Sequence, residues 1–218
     1  RPGRAACVNI FLPCEVLHAL NIPPVLPEGL SCYLVSTAAE RVFVEAAEER
    51  GVPESYCSYH KILLGLAETG VMARPRFILN TSLACDANQL TFRRLAELYG
   101  VPSFSIDVPM QQSAANIAYV AGQLRELADF LQTNTGKTID TEALRVRLRR
   151  SRRTLEKFRE CQRARADKYV PSDLVTPLYS GMVNNILLGS QQVENYVDRL
   201  RADIEKAPPA RGKRIYWM

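Results

Sequence analysis

The chain lacks the short motifs that mark several common enzyme classes. It has no CxxC pair, which argues against a zinc ribbon or a thioredoxin-type redox centre. It has no GxSxG, so serine hydrolase chemistry is not supported. It has neither a Walker A sequence nor GxGxxG, and we therefore expect this chain not to bind ATP or NAD in the usual way.

Long apolar runs and an export signal are also missing. No apolar run approaches the ~18 residues that span a bilayer, and the first residues lack an apolar segment followed by a small-residue cleavage site. We therefore expect a soluble, cytoplasmic protein without membrane contact. With 218 residues and 47% hydrophobic content, the chain can build a real core without disulfide staples. Its six cysteines are then expected to be reduced thiols or metal ligands.

The net charge of +5 is distributed unevenly. Residues 145–168 contain eleven Lys and Arg against three acids, a local net charge of +8, which leaves −3 for the remainder. This asymmetry indicates a phosphate ligand, nucleic acid or an acidic protein partner, although a solvated basic face is an equally simple interpretation. No aromatic residues are interleaved on the basic face, so we expect no binding of single-stranded nucleic acid.

The first half alternates strand-like and helical segments. Helices are predicted in "PCEVLHAL", "STAAERVFVEAAEER", "SYHKILLGLAETG" and "ANQLTFRRLAELYG", and extended segments in "CVNIFL", "PPVLPEG", "RFILNTS" and "PSFSIDVP". Such alternation predicts an α/β lobe over residues 1–110, with a parallel Rossmann-like sheet and helices on both faces.

The second half is predicted to be a helical lobe over residues 111–205. Asp140 is placed to cap a helix that runs to about Arg165 and carries Leu144, Leu148, Leu155 and Phe158 on one stripe. A last helix is predicted from about Thr176 to Glu205. Residues 206–218 are predicted to be a linker followed by a strand, "RIYWM", that would begin a second α/β lobe.

Two cysteines lie in polar, turn-like segments, Cys57 in "PESYCSYH" and Cys85 in "TSLACDAN". Each precedes a predicted helix, and Cys85 also follows a predicted strand. Bound groups in open α/β sheets lie at the carboxyl ends of strands, and helix N-termini favour thiolate over thiol. The pattern therefore allows Cys57 and Cys85 to be metal ligands, or to be ordinary residues near helix starts.

The other candidate residues are less distinctive. Cys14 and Cys32 lie at the starts of elements and are reserve ligands, whereas Cys7 and Cys161 are expected to be packed. His60 is a possible ligand or proton donor, with a helix-surface position as the simpler expectation. His18 is expected to be packed inside a helix, and Asp107 to lie on the rim of the crevice or to cap a loop.

Several segments together resemble the subunits of 2-hydroxyacyl-CoA dehydratases and benzoyl-CoA reductases. "FLPCEVLHALNIPPVLPEG" is similar to the opening of those subunits, except that Asn21 stands where the family often has glycine. "YCSYHKILLG" and "SLACDANQLTFRRLAELYGVPSFSIDVP" resemble their two cysteine segments. "GKTIDTEALRVRLRRSRR" resembles the start of their long basic helix.

The resemblance implies a subunit with an iron–sulfur cluster, often [4Fe-4S], held by three cysteines with one iron site open. It implies that Cys57 and Cys85 are two of the ligands. The third ligand is expected in a second α/β lobe, which this chain lacks, in a protein about twice as long.

The implied reaction begins when an ATP-dependent activator protein supplies one electron. A radical anion then forms on the acyl-CoA, and a hydroxyl group is eliminated or an aromatic ring is reduced. A sister subunit or a homodimer is expected. Glu28 is the candidate acid or base, and Arg149, Arg152 and Arg153 are candidates to bind the CoA phosphates or a partner. A double-cubane reductase of small molecules, and a cluster-free scaffold of the same fold, are the alternatives.

Overall fold

The computed structural model describes residues 3–83, 85–170, 180–181 and 184–211. Its sheet has four parallel strands in the order β2-β1-β3-β4. The strands are β1 (Ala6–Val8), β2 (Pro24–Val25), β3 (Phe77–Thr81) and β4 (Ser103–Ile106). The helices of the described residues include α1 (Glu15–Ala19), α2 (Pro27–Ser36), α3 (Arg41–Glu49), α4 (Ser58–Glu68), α5 (Asp86–Tyr99), α6 (Ala114–Thr135), α7 (Thr141–Ala164) and α8 (Gln191–Lys206).

Both faces of the sheet are covered by helices, as the alternation predicted. Ala6, Val8, Phe77 and Leu79 lie in one apolar cluster, which residues of α1 and α6 complete. Their neighbours Cys7 and Ile78 point to the opposite face, because successive strand residues alternate. That second cluster is completed by residues of α3, α4 and α5. The predicted fold class is therefore confirmed.

Two predicted segments of the first half were wrong in their boundaries. "PPVLPEG" was predicted to be extended throughout, but strand β2 is short and helix α2 begins at Pro27, where proline is favoured in the first turn. The helix predicted for "STAAERVFVEAAEER" begins later than predicted. Helix α2 ends at Ser36, Ala38 adopts a φ of +55°, and α3 begins at Arg41.

Helices α3 and α4 cross closely at a glycine. A Cβ atom added to Gly65 would lie 1.9 Å from the backbone oxygen of Phe43. Lys61, one turn earlier on α4, is buried and donates from Nζ to Glu48 Oε1 at 2.5 Å and to Glu54 O at 2.9 Å. These contacts fix α4 and the loop that leads into it.

The apolar stripe predicted on α7 is wrong in part: Leu144 and Phe158 are half-buried, and Phe158 packs against the cluster of Cys161, Val197 and Ile204. Leu148 and Leu155 are 51% and 41% exposed, whereas Ser151, Thr154 and Cys161 are buried. The helix presents its smaller side chains to the rest of the protein, which allows close packing against neighbouring helices. The predicted cap is confirmed, since Asp140 accepts hydrogen bonds from the backbone N–H groups of Glu142 and Ala143.

Charged side chains join α7 to α8 around one buried acid. Glu194 is 7% exposed and forms ion pairs with Arg150, Arg153 and Lys157. The single long last helix predicted from the sequence is interrupted before this point. Residues 184–187 are helical, and Gly189 then adopts a φ of +84° before α8 begins.

Other predictions fall on residues outside the described ranges. They concern residues 171–179, at the start of the predicted last helix, and the predicted strand "RIYWM". Within the described part of the chain, no helix combines the length and apolar character needed to cross a bilayer.

Candidate functional site at the carboxyl edge of the sheet

The carboxyl ends of β1 and β3 are joined by a buried asparagine. Asn9 follows β1 directly, and its Nδ2 donates to Thr81 Oγ1 at 3.2 Å. The backbone N–H of Thr81 donates back to Asn9 Oδ1, also at 3.2 Å. Both residues are buried, so these bonds satisfy polar groups that water cannot reach. They make this edge of the sheet a rigid base for the loops that follow.

The asparagine network continues to Glu28. Asn9 Nδ2 also donates to Asn88 Oδ1 at 3.1 Å, and Asn88 Nδ2 donates to Glu28 Oε1 at 2.7 Å. Glu28 is 8% exposed, and its Oε2 is buried without a hydrogen-bond partner among the described residues. Burial raises the pKa of Glu28 to about 7, against the opposing effect of the Asn88 hydrogen bond. This carboxyl group can therefore both hold and release a proton at neutral pH.

Cys57 and Cys85 occupy equivalent places at the starts of two helices. Cys57 is the N-cap residue of α4 and Cys85 is the N-cap residue of α5, in the loop after β3. Both side chains are exposed, and neither sulfur accepts a hydrogen bond from its own helix. The predicted placement before helices is thus confirmed. Both sulfurs are open to a ligand.

Tyr56 brings the segment that holds Cys57 beside α5. Its hydroxyl donates to the backbone oxygen of Ala87 at 2.9 Å and is hydrogen-bonded to Thr91 Oγ1 at 3.0 Å. The loop before α4 is thereby tied to the first turns of α5, the helix that Cys85 caps. The segment that leads into α4 therefore lies beside the first turns of α5.

His60 completes this group of residues. Its Nε2 lies 3.7 Å from Cys85 Sγ, and burial lowers the pKa of the imidazole, which favours the neutral ring. The expected helix-surface position is wrong, because His60 is buried. The reason is that α4 packs against α2, α3 and α5, so that its residues from His60 to Leu66 are buried without interruption.

The remaining cysteines and histidine are packed. Cys7 and Cys161 are buried, as expected. Cys14 is also buried, and burial raises its pKa, which disfavours the thiolate that a metal requires. Cys32 is buried beside the Tyr59 hydroxyl, with which it is hydrogen-bonded. His18 is half-buried, with its Nε2 2.9 Å from Ile186 O.

Asp107 lies at the end of β4, on the rim of the same edge. Its backbone N–H donates to Gln123 Oε1 at 2.7 Å, and its Oδ2 accepts from the Tyr119 hydroxyl at 3.3 Å. These bonds tie the loop after β4 to α6. Asp107 thus has the loop-capping contacts that were one of the two expectations for it.

The three candidate arginines on α7 differ in their surroundings. Arg153 forms an ion pair with the buried Glu194 at 3.3 Å, and Arg152 forms an exposed pair with Glu156 at 3.0 Å. Arg149 is exposed and makes no ion pair within the described ranges. Arg149 is therefore the member of this group that is best placed to take a new anionic partner.

The donor set fits part of an iron–sulfur site. Thiolates are the usual ligands of such clusters, and Cys57 and Cys85 present two exposed thiols at the starts of α4 and α5. However, the described residues contain no group of three or more His, Cys, Asp or Glu side chains arranged to hold a metal ion. The described residues therefore offer a partial ligand set.

Asn9 and Asn88 are the residues that sequence reasoning missed. Asn9 is a single polar residue within the apolar run "CVNIFL", and Asn88 lies one helical turn after Cys85. Asn9 could have been recognised as a site residue, because it is polar and directly follows a buried strand. Sites in α/β proteins form at that end of the strands.

Comparison with known proteins identifies the family of the chain. No curated protein matches the chain. The family model described as "2-hydroxyglutaryl-CoA dehydratase, D-component" matches residues 9–218. The chain therefore belongs to the 2-hydroxyglutaryl-CoA dehydratase D-component family.

Proposed function

We propose that this chain is a cluster-holding part of an enzyme that dehydrates 2-hydroxyacyl-CoA or reduces an aromatic acyl-CoA. Family membership supports a component of a 2-hydroxyacyl-CoA dehydratase-type enzyme. In this proposal an ATP-dependent activator protein supplies the electron, and a sister subunit or second copy supplies further groups. We also propose a cytoplasmic location.

The observation that carries the proposal is that two thiols and one buried carboxyl group lie at the same edge of the sheet. Exposed thiols lie at the starts of α4 and α5. A buried carboxyl group, Glu28, is held by Asn88 on the first turn of α5. Electron transfer coupled to loss of a hydroxyl group needs both a redox centre and a proton donor.

Cys57 and Cys85 would hold an iron–sulfur cluster, [4Fe-4S] in the first instance, with ligands that the described residues do not supply. Such a cluster carries single electrons and can present an open iron site to a thioester oxygen. The protein places both cysteines at N-cap positions, with neither side chain hydrogen-bonded to its own helix.

Glu28 would deliver or accept the proton of the reaction. Its pKa of about 7 lets it populate both protonation states at neutral pH, as a general acid or base requires. Asn9 and Asn88 would orient the carboxyl group through the chain of hydrogen bonds that begins at β1 and β3.

Arg149 would contact a phosphate group of coenzyme A, with Arg152 as a second donor. Exposed ion pairs contribute little stability, so a phosphate can compete with Glu156 for Arg152. Arg153 is the weaker candidate, because it would have to leave Glu194.

The test is anaerobic reconstitution of the chain with iron and sulfide, followed by iron and sulfide analysis and a visible spectrum. We expect incomplete occupancy in the chain alone, with the bound iron lost in Cys57→Ser and in Cys85→Ser. Cys161→Ser is the matched control, because Cys161 is buried between α7 and α8.

The same measurement separates the alternatives. An iron content well above four per chain would favour a double-cubane reductase. No bound iron in any variant would favour a cluster-free scaffold. Iron that is retained equally in Cys57→Ser, Cys85→Ser and Cys161→Ser would disprove the ligand assignment.

A further inference from the structure

His60 is a buried residue that has no part in the function proposed above, in which Cys57 and Cys85 are ligands and Glu28 is the proton donor. The residue is 6% exposed, and the centroid of its ring lies 6.1 Å from that of Tyr56. Tyr56 is in turn fixed by the backbone of α5 through its hydroxyl group. The orientation of the imidazole toward Cys85 is therefore set by packing, and solvent has little part in it.

The two ring nitrogens of His60 have different surroundings. Nε2 lies 3.7 Å from the Cys85 sulfur, whereas Nδ1 is buried and has no hydrogen-bond partner among the described residues. A neutral imidazole has one N–H donor and one acceptor nitrogen. If the proton were on Nδ1, a buried N–H would have no acceptor, and such orphan donors are rare in proteins. The proton is better placed on Nε2, where it faces sulfur.

Cys85 has little else to restrain its side chain. It is exposed, and its sulfur does not cap α5. Within the described part of the chain, the Cys85 sulfur has one hydrogen-bond partner, which is His60 Nε2. The direction in which this sulfur points thus depends on the imidazole.

We propose that His60 is a positioning residue for Cys85, whose Nε2–H group donates a hydrogen bond to the cysteine sulfur. The inference deepens the proposed function, since its importance rests on Cys85 being a ligand. The hydrogen bond itself requires no metal.

A ligand role for His60 fits the structure less well. Histidines that bind metals almost always donate their second ring N–H to a carboxylate, a carbonyl or water. The described residues provide no such acceptor for Nδ1. Donation to the sulfur is therefore the role that these contacts favour.

Hydrogen bonds to the sulfurs of an iron–sulfur cluster are among the features that set its reduction potential. An N–H donor withdraws electron density from the sulfur, which makes the more negative, reduced state easier to form. Removing the donor should therefore shift the potential of the loaded chain to a more negative value.

The direct test is a side-chain 15N–1H correlation spectrum of the chain labelled with 15N-histidine, without added metal. The chain has only two histidines, so His18→Gln assigns the signals. We expect His60 to be the Nε2–H tautomer, with an Nε2 signal that shifts in Cys85→Ala. Cys57→Ala is the matched control, because it removes the other N-cap cysteine, and it should leave the signal in place.

An Nδ1–H tautomer, or an Nε2 signal that Cys85→Ala leaves unchanged, would overturn the inference. A second arm compares His60→Gln, which keeps an N–H donor, with His60→Leu, which has none. In the iron-loaded chain, the reduction potential should be more negative in His60→Leu than in His60→Gln, and equal potentials would also overturn it. Failure of every variant to load iron, with the Nε2–H···S bond intact, would count against the proposed function and not against the hydrogen bond.

Discussion

Glu28 carries a pH dependence of stability that its surroundings impose. Its pKa is raised from 4.5 to about 7 in the folded protein, so folding disfavours the ionised form. Its contribution to stability is complete below pH 4.5 and is lost as the pH rises to about 7. The size of this loss is roughly 3 kcal/mol.

Glu28→Gln should remove this loss, because glutamine has no proton to release and keeps an oxygen for Asn88. We expect the variant to gain stability over the wild-type protein between pH 5 and 7, with a constant difference above pH 8. Denaturant unfolding at several pH values measures it. Glu49→Gln, at an exposed position, is the control and should show no such trend. Parallel curves for the wild-type protein and Glu28→Gln would contradict the prediction.

Asn88 should matter more to stability than its neighbour Gln89. Asn88→Ala removes the hydrogen bond to the buried Glu28 carboxyl group, whereas Asn9 keeps its hydrogen bonds to Thr81. The expected loss in the free energy of unfolding is about 1–3 kcal/mol, the cost of one unsatisfied buried polar group. Gln89→Ala is the comparison, because Gln89 is only partly buried. Similar losses for the two variants would show that the network contributes little.

At the scale of elements, the α3–α4 crossing depends on Gly65. Gly65→Ala would force a Cβ atom against the Phe43 carbonyl, which is backbone and cannot rotate away. We expect a loss of about 3 kcal/mol or more, in line with overpacked core positions. Gly122→Ala, within α6 and with no atom near the new Cβ, is the matched control and should be neutral or stabilising by about 0.5–1 kcal/mol. If Gly65→Ala and Gly122→Ala had equal melting temperatures, the close contact of α3 and α4 at Gly65 would be refuted.

The contact of α7 with α8 should depend on Glu194. Glu194→Gln leaves Arg150, Arg153 and Lys157 without their shared acid. A loss of about 1.5–3 kcal/mol is expected, as for hydrogen bonds to charged groups. Glu156→Gln breaks an exposed pair on the same helix and should change stability by less than about 1 kcal/mol. Denaturant unfolding of both variants measures the difference, and equal effects would disprove a special role for Glu194.

At the scale of the whole molecule, the concentration of positive charge on α7 predicts anion binding. Coenzyme A should bind more tightly than its 3′-dephospho form, and Arg149→Ala should weaken coenzyme A binding roughly tenfold, the value of one charge-assisted hydrogen bond. Arg125→Ala, an exposed arginine on α6, is the control. Calorimetric titration of both ligands measures these affinities. Equal binding of the two ligands by all variants would leave a solvated basic face as the explanation.

Much of the architecture and part of the site followed from the sequence. Proline and glycine positions and apolar periodicity indicated the strand–helix alternation, because these properties act within a few residues. The polar surroundings of Cys57 and Cys85 indicated helix starts at one edge of the sheet for the same reason. The helix boundaries near Ala38 and Gly189 were missed, because each depends on how the next segment packs.

Local propensity and spacing were enough to predict the α/β class, the Asp140 cap of the basic helix and the positions of Cys57 and Cys85 before helices. Tertiary packing, in contrast, buries His60 against Cys85 and joins Asn9, Asn88 and Glu28 in one hydrogen-bond network. It also decided that α7 buries Ser151 and Thr154 while Leu148 and Leu155 remain exposed. These outcomes depend on residues far apart in the chain that meet when helices pack on the sheet, and no local pattern contains that information.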